Sequence, residues 1–336
     1  MSKKRVGFIL LCCLLAGSIA FNAMLLLRKD ASGMESSASE EGQPEEYVYV
    51  AVFSEDPMIK LQDEKGLEMF AREMGVKAAL DAPASYDPVE QAQILEEVIE
   101  SRPAGIMVCG ADTTLIPLIN RAVAEGIPTI TVDADLPDSD RLATVCSNWY
   151  NLGVKQGEAM MRLIGGKGKV AMLGMVGSEN MQLGFEGFRS VAENYDDVIV
   201  LGEYDDMTNP EEAKRIVLRL LEEHPDLAGI AGFDSNSGPG IAMALEELGL
   251  KGKIKVTSVD IAPIHLQLVR DGYVQKLVGQ KRELFTYYGG LLLYNINHSG
   301  LTITSDDSGN GITNIPEAID TGLVEVDITN VDDIDR

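Results

Sequence analysis

GIMVCGADTTLIPLINRAVAEGIPTITVD (105–133) reads as a strand, a helix and a second strand. Two apolar runs, GIMVC (105–109) and TITVD (129–133), flank a stretch of helical periodicity over 113–125 that stops at Gly126. A helical crossover between two such runs predicts parallel pairing, because antiparallel neighbours need only a short turn. Working outward, YVYVAVF (47–53) and a helical segment over 59–74 precede it, and LATVCS (142–147) closes the series. A second series follows: KVAMLG (169–174), a helix from about Phe185, DVIVLGE (197–203), a helix over 209–223, LAGIAGF (227–233) and KVTSVD (255–260). Two such sets, each of roughly 100–150 residues, predict an α/β protein built as two doubly wound parallel-sheet lobes.

The chain has 336 residues and a formal charge of −25. Five of its basic residues fall before position 30 (Lys3, Lys4, Arg5, Arg28, Lys29), so the rest is more acidic still. Such a body repels nucleic acid and anionic lipid headgroups. Lys3-Lys4-Arg5 precedes an unbroken apolar run from Val6 to Leu27, which makes 1–29 a signal peptide or signal anchor outside the fold. The run is long enough to span a bilayer, and Ser18-x-Ala20 offers an alternative cleavage site. Residues 30–46 are acidic and without apolar periodicity, as in a flexible tether. Contact with a membrane is expected through this N-terminal segment only. Beyond it, Cys109 and Cys146 are the two cysteines of the body, too few for a disulfide framework.

Catalytic patterns are sparse. GGKGKV (165–170) lacks the ending of a phosphate loop, no G-x-S-x-G occurs, and the three histidines are far apart in sequence. No nucleophile, base and orienting group come together, so no enzyme activity and no cofactor are expected. Asp133-Ala134-Asp135 sits at a strand end, where a ligand-facing Asp needs no metal. Asp306, Ser308, Asn310, Gly311 and Glu317 match a calcium-loop spacing, but the strand-like GLTIT before them and Pro316 within argue for a polar loop instead. No metal site is expected.

Three stretches carry a resemblance: EGIPTITVDADLPDSDRLATVCSNWYNLGVKQGE (125–158), GFDSNSGPGIAMALEELG (232–249) and VTSVDIAPIHLQLVRDGYVQKLVGQKRELFTYYGG (256–290). With the closing IPEAIDTGLVEVDITNVDD (315–333), they make residues 47–330 similar to the type I periplasmic sugar-binding proteins of ABC importers, in the ribose- and galactose-binding branch. The resemblance implies a hinge crossed three times, near 146–148, near 279–281 and within 303–312. The first lobe would then be 47–146 plus 281–303, and the second 148–279 plus 312–336. It implies a monomer that closes around a small sugar-like molecule for an ABC permease or a membrane sensor.

Carried over residue by residue, the implied ligand-binding residues are Asp56, Met58, Cys109, Asp133, Ser147, Trp149, Asp234, Asp260 and Gln280. Cys109 and Asp234 stand where the family commonly has Asn. Ala134 and Leu183 stand where ribose binders commonly have arginines, so the cleft is expected to be rich in acceptors and poor in cations. A neutral polyol, a cyclitol or an amino sugar fits that cleft better than an anion. Glu179 and Asn180 read as a surface turn.

Overall fold

The computed structural model describes residues 48–53, 60–84, 87–298 and 315–334. The targeting segment, the tether, Asp56, Met58 and most of the calcium-like stretch lie outside them. Among the described residues no helix is long and apolar enough to cross a membrane, and no group of side chains is placed to hold a metal ion.

Two six-stranded sheets form the frame. The first contains β1 (Val48–Val52), β2 (Lys77–Asp81), β3 (Gly105–Val108), β4 (Thr129–Val132), β5 (Thr144–Cys146) and β11 (Ala318–Asp320), in the order β2-β1-β3-β4-β5-β11. All its pairings are parallel. The second contains β6 (Gly168–Gly174), β7 (Val198–Asp205), β8 (Leu227–Gly232), β9 (Lys255–Val259), β10 (Lys276–Gln280) and β12 (Leu323–Val326), in the order β7-β6-β8-β9-β10-β12. Its first five strands are parallel, and β12 runs antiparallel to β10. The two orders therefore correspond strand for strand, with β4 the counterpart of β9.

Each sheet is covered on both faces, which is why its inner strands read as continuous apolar runs and not as alternation. On the first sheet, Tyr49, Phe70, Met107, Ile130 and Phe285 pack on one side, and Val52, Leu95, Ile106 and Leu115 on the other. On the second, Leu173, Ile216, Ile230 and Val256 form one layer, and Met172, Phe185, Phe188 and Phe233 the other.

Local signals explain several element ends. Asn209 accepts hydrogen bonds from the backbone N–H of Glu211 (2.9 Å) and Glu212 (3.3 Å), with Pro210 opening the helix Pro210–Glu223. Gly165, at φ +68°, caps the helix Trp149–Ile164 in a left-handed conformation, so GGKGKV is a helix-to-strand turn.

Three features depart from the sequence reading. KAALD forms edge strand β2 and Pro88–Glu100 a helix that periodicity did not single out; β2 alternates exposed and half-buried residues, a weak signal. The helix expected from Phe185 begins at Glu179, so Glu179 and Asn180 form its first turn, where an acid suits the positive end of the helix dipole. The third passage between sheets falls at Thr321–Gly322, beyond the expected 303–312, because Ala318–Asp320 pairs with β5 and belongs to the first sheet. The Thr321 N–H extends that pairing to the Cys146 carbonyl (3.0 Å), and Gly322 turns the chain at φ +75°.

Candidate functional site

Parallel α/β sheets place ligands beyond the carboxyl ends of their strands, and those predicted polar residues that are described fall at such ends. Asp133 follows β4 and Asp260 follows β9, the same place in each sheet. Both hold left-handed backbone, φ +66° and +65°. Asp tolerates that conformation better than most side chains, and two such residues at matching strand ends are a repeated device.

Asp133 is joined to a cation that the sequence reading missed. Arg282, 3% exposed, donates from one terminal nitrogen to Asp133 Oδ2 (3.0 Å) and from the other to Asp63 Oδ2 (2.9 Å). Asp63, 2% exposed, was missed as well. The helix Lys60–Met74 brings it there by lying directly on the start of the helix Glu283–His298: a Cβ on Gly66 would stand 1.8 Å from the Glu283 carbonyl oxygen. Thr286 Oγ1 adds a hydrogen bond to the Asp63 carbonyl (2.7 Å).

Burial raises the Asp63 carboxyl above its ordinary range, and Arg282 opposes that shift. Burial also disfavours the charged guanidinium, but Asp133, Asp63 and Asp260 more than offset it and hold the Arg282 pKa well above its ordinary value. A carboxylate of the second sheet thus acts on an arginine that follows the passage from β10 into the first lobe. One arginine thus stands beside the predicted ligand carboxylate Asp133, and both its terminal nitrogens already serve carboxylates.

The other predicted residues divide by environment. Cys109 Sγ lies 3.9 Å from Asp133 Oδ2, and the Cys109 carbonyl accepts from buried Gln91 (2.9 Å). Gln280 ends β10 at 2% exposure, with its side-chain nitrogen lacking a protein partner. Ser147 Oγ lies 3.5 Å from Thr321 Oγ1 and from the Gly322 carbonyl, which ties two of the passages between sheets together. Trp149 packs with Leu152, Met181 and Phe185 in the core of the second lobe, and its ring nitrogen has no protein partner.

Asp234 forms a second acidic centre. Its Oδ1 accepts from the N–H groups of Asn236 and Ser237, both at 2.8 Å, at the start of the helix Ser237–Glu247. Beside it lies Asp206, fully buried and also missed, whose Oδ2 accepts from Ser237 Oγ (2.6 Å). Burial and the facing Asp234 carboxylate push Asp206 up to about 9. At neutral pH Asp206 therefore keeps its proton.

A group whose folded pKa lies above its unfolded value keeps a proton that the unfolded chain releases, so its contribution falls as pH rises from about 4 to about 9. Asp206→Asn supplies a permanent N–H donor in place of that proton. At pH 8 it is expected to raise the melting temperature by roughly 2–4 °C, with the gain fading toward pH 4. A gain independent of pH, in calorimetric melts across that range, would contradict the proton held by Asp206.

At the rim, Asp135 is held by Arg141 through two bonds (2.5 and 2.6 Å) and by Thr131 (2.6 Å), a structural role. Burial raises the Glu179 carboxyl, and Asp135 and Asp138 add to the shift. Glu179 thus feels the rim carboxylates of the first lobe from the second.

Residues 48–297 match the family model described as the periplasmic binding protein domain. The chain belongs to that family. An arabinose-binding protein of Geobacillus stearothermophilus has a similar structure, with 29% identity, TM-score 0.75, and coverage of 86% of this chain and 99% of that one. A sugar-binding protein of a sugar ABC transporter from Bacillus halodurans gives 29% identity and TM-score 0.77, over the same 86% and 99%. By sequence, a D-allose-binding periplasmic protein of Escherichia coli is 22% identical over 72% of this chain and 81% of its own length. A D-apiose import binding protein of Paraburkholderia graminis is 22% identical over 48% of this chain, and the match spans 52% of that protein. The fold expectation of two parallel-dominated sheets is met, and membership of this family of binding proteins rests on the match over 48–297.

Proposed function

We propose that this periplasmic binding protein captures a neutral polyhydroxylated ligand, a monosaccharide or polyol, outside the cytoplasm and presents it to an ABC importer without chemical change. The observation that carries the reading is the pair Asp133 and Asp260, set at matching strand ends of the two lobes. A carboxylate accepts short, strong hydrogen bonds from ligand hydroxyls. A ligand touching both lobes favours the closed arrangement by its differential affinity, and hinge closure of periplasmic binding proteins is a standard instance of that linkage. Gln280 supplies a buried amide donor with no protein partner. Relatives that bind arabinose and allose support a sugar. Anchoring through residues 1–29 and a monomeric state complete the proposal.

A thermal-shift screen over pentoses, hexoses, polyols and sugar acids tests it. A ligand at a hundred times its Kd adds about 2.7 kcal/mol of stability, and neutral sugars are expected to produce that shift. A shift from sugar acids alone would refute the neutral-ligand reading. Asp133→Asn keeps the shape and tolerates the left-handed backbone, whereas alanine would strain it. The amide is expected to weaken binding by about 30- to 100-fold, as read by titration calorimetry.

A further inference from the structure

Arg282 stands one residue beyond Lys281, where the chain leaves β10 for the helix Glu283–His298. Its two terminal nitrogens reach Asp63 and Asp133, and its ring neighbour is Phe285, with the guanidinium carbon 5.4 Å from the ring centroid. It is as buried as a core leucine. Such an ion pair is not an efficient way to stabilise a fold, since well-packed apolar side chains often do as well. What the arrangement does accomplish is orientation. Asp133 Oδ2 is occupied by the guanidinium, while Oδ1 is buried and without a protein hydrogen-bond partner.

We propose that Arg282 is a positioning and specificity-determining residue: by holding Asp133 Oδ2 it presents Oδ1 as a single fixed acceptor, so the cleft selects one hydroxyl geometry and favours neutral sugars over their amine counterparts. This rests on the reading of Asp133 as a ligand carboxylate. Charge accounts for the second half. Arg282 faces Asp63 and Asp133 directly and is acted on by Asp260. A cationic ligand therefore meets carboxylates whose charge is already partly met. Geometry accounts for the first half, because Asp63 anchors one arm of the planar guanidinium and so aims the other at Asp133 Oδ2 in a fixed direction, which a freely rotating ammonium does not do.

The test uses the full chain with Arg282→Gln and Asp63→Asn combined, which removes one charge of each sign and leaves two amides able to bond one another. D-glucose, D-galactose, D-allose, D-arabinose, D-glucosamine and D-galactosamine are titrated into wild type and variant. Wild type is expected to prefer a neutral sugar over its amine and one epimer over the other. The variant is expected to lose about 10-fold in affinity for that sugar and about 10-fold in epimer preference. Its affinity for the amine relative to the neutral parent is expected to rise, because Asp133 is no longer compensated. A purely structural arginine would leave that ratio unmoved. Arg282→Lys, which keeps the charge but not the fork, is expected to lose epimer preference while keeping the preference for neutral sugars, and it carries the test should the double variant fail to fold.

Unchanged affinity and selectivity in a folded variant overturn the role of Arg282 alone. Absence of any sugar binding by wild type overturns the proposed function and this inference with it.

Discussion

Arg282→Met is expected to destabilise the protein by about 3–5 kcal/mol. The side chain is replaced by one of similar length, so lost packing is a minor part of the effect. What remains is Asp63, buried and losing its ionic partner, beside Asp133, which loses the same partner. Two carboxylates in a low-dielectric site with no cation must repel one another or take up a proton. Burial already holds the Asp63 carboxyl above its ordinary range, and without the opposing Arg282 it would rise further, so the loss should be larger at pH 8 than at pH 5, where protonation relieves it. Urea unfolding at the two pH values measures both features. A loss below about 1 kcal/mol, typical of exposed ion pairs, would mean that water reaches the site and screens it.

Gly153→Ala is expected to cost about 3 kcal/mol or more, and to lower the melting temperature by on the order of 10 °C. Helix propensity alone points the other way, since alanine in a helix interior is better than glycine by about 1 kcal/mol. The tertiary contact decides the sign. A Cβ on Gly153 would stand 1.8 Å from the Gly184 carbonyl oxygen, and one on Gly187 would stand 2.1 Å from the Tyr150 carbonyl oxygen. The helices Trp149–Ile164 and Glu179–Ala192 therefore cross backbone to backbone, and no flexible side chain can yield. The same helices carry Trp149 and Glu179, so their separation would also displace those two residues. A variant that melts at or above the wild-type temperature would show that the two helices can part without penalty.

Strand-end carboxylates were the legible part of the site. Asp133 and Asp260 each close an apolar run, TITVD and KVTSVD, and the direction of a parallel sheet places the end of such a run at the ligand-binding edge. Their left-handed backbone was not legible, because Asp is common in turns of many kinds. Asp206 was passed over because Asp205-Asp206 reads in sequence as a solvated turn; only the fold sets it against Asp234 and Ser237 Oγ. Asp63 and Arg282 were missed for a related reason. LQDEKG and QKRELF look like exposed helix starts, and nothing local says that one helix will lie on the other close enough to bury both charges.

By itself the sequence determined the succession of strands and helices, the division into two lobes and the acidic character of the strand ends. These follow from local periodicity and from the one direction in which a parallel sheet can be wound, and both are written in consecutive residues. Tertiary structure alone decided which charges meet, which glycines are obligatory and where the chain last passes between sheets. Those outcomes depend on pairs far apart in the chain, such as Asp63 with Arg282 and Thr144 with Ala318, whose proximity exists only after the helices and sheets have packed. The proposed ligand carboxylate Asp133 belongs to both accounts: its place was set by the strand before it, and its one free oxygen by an arginine 149 positions away.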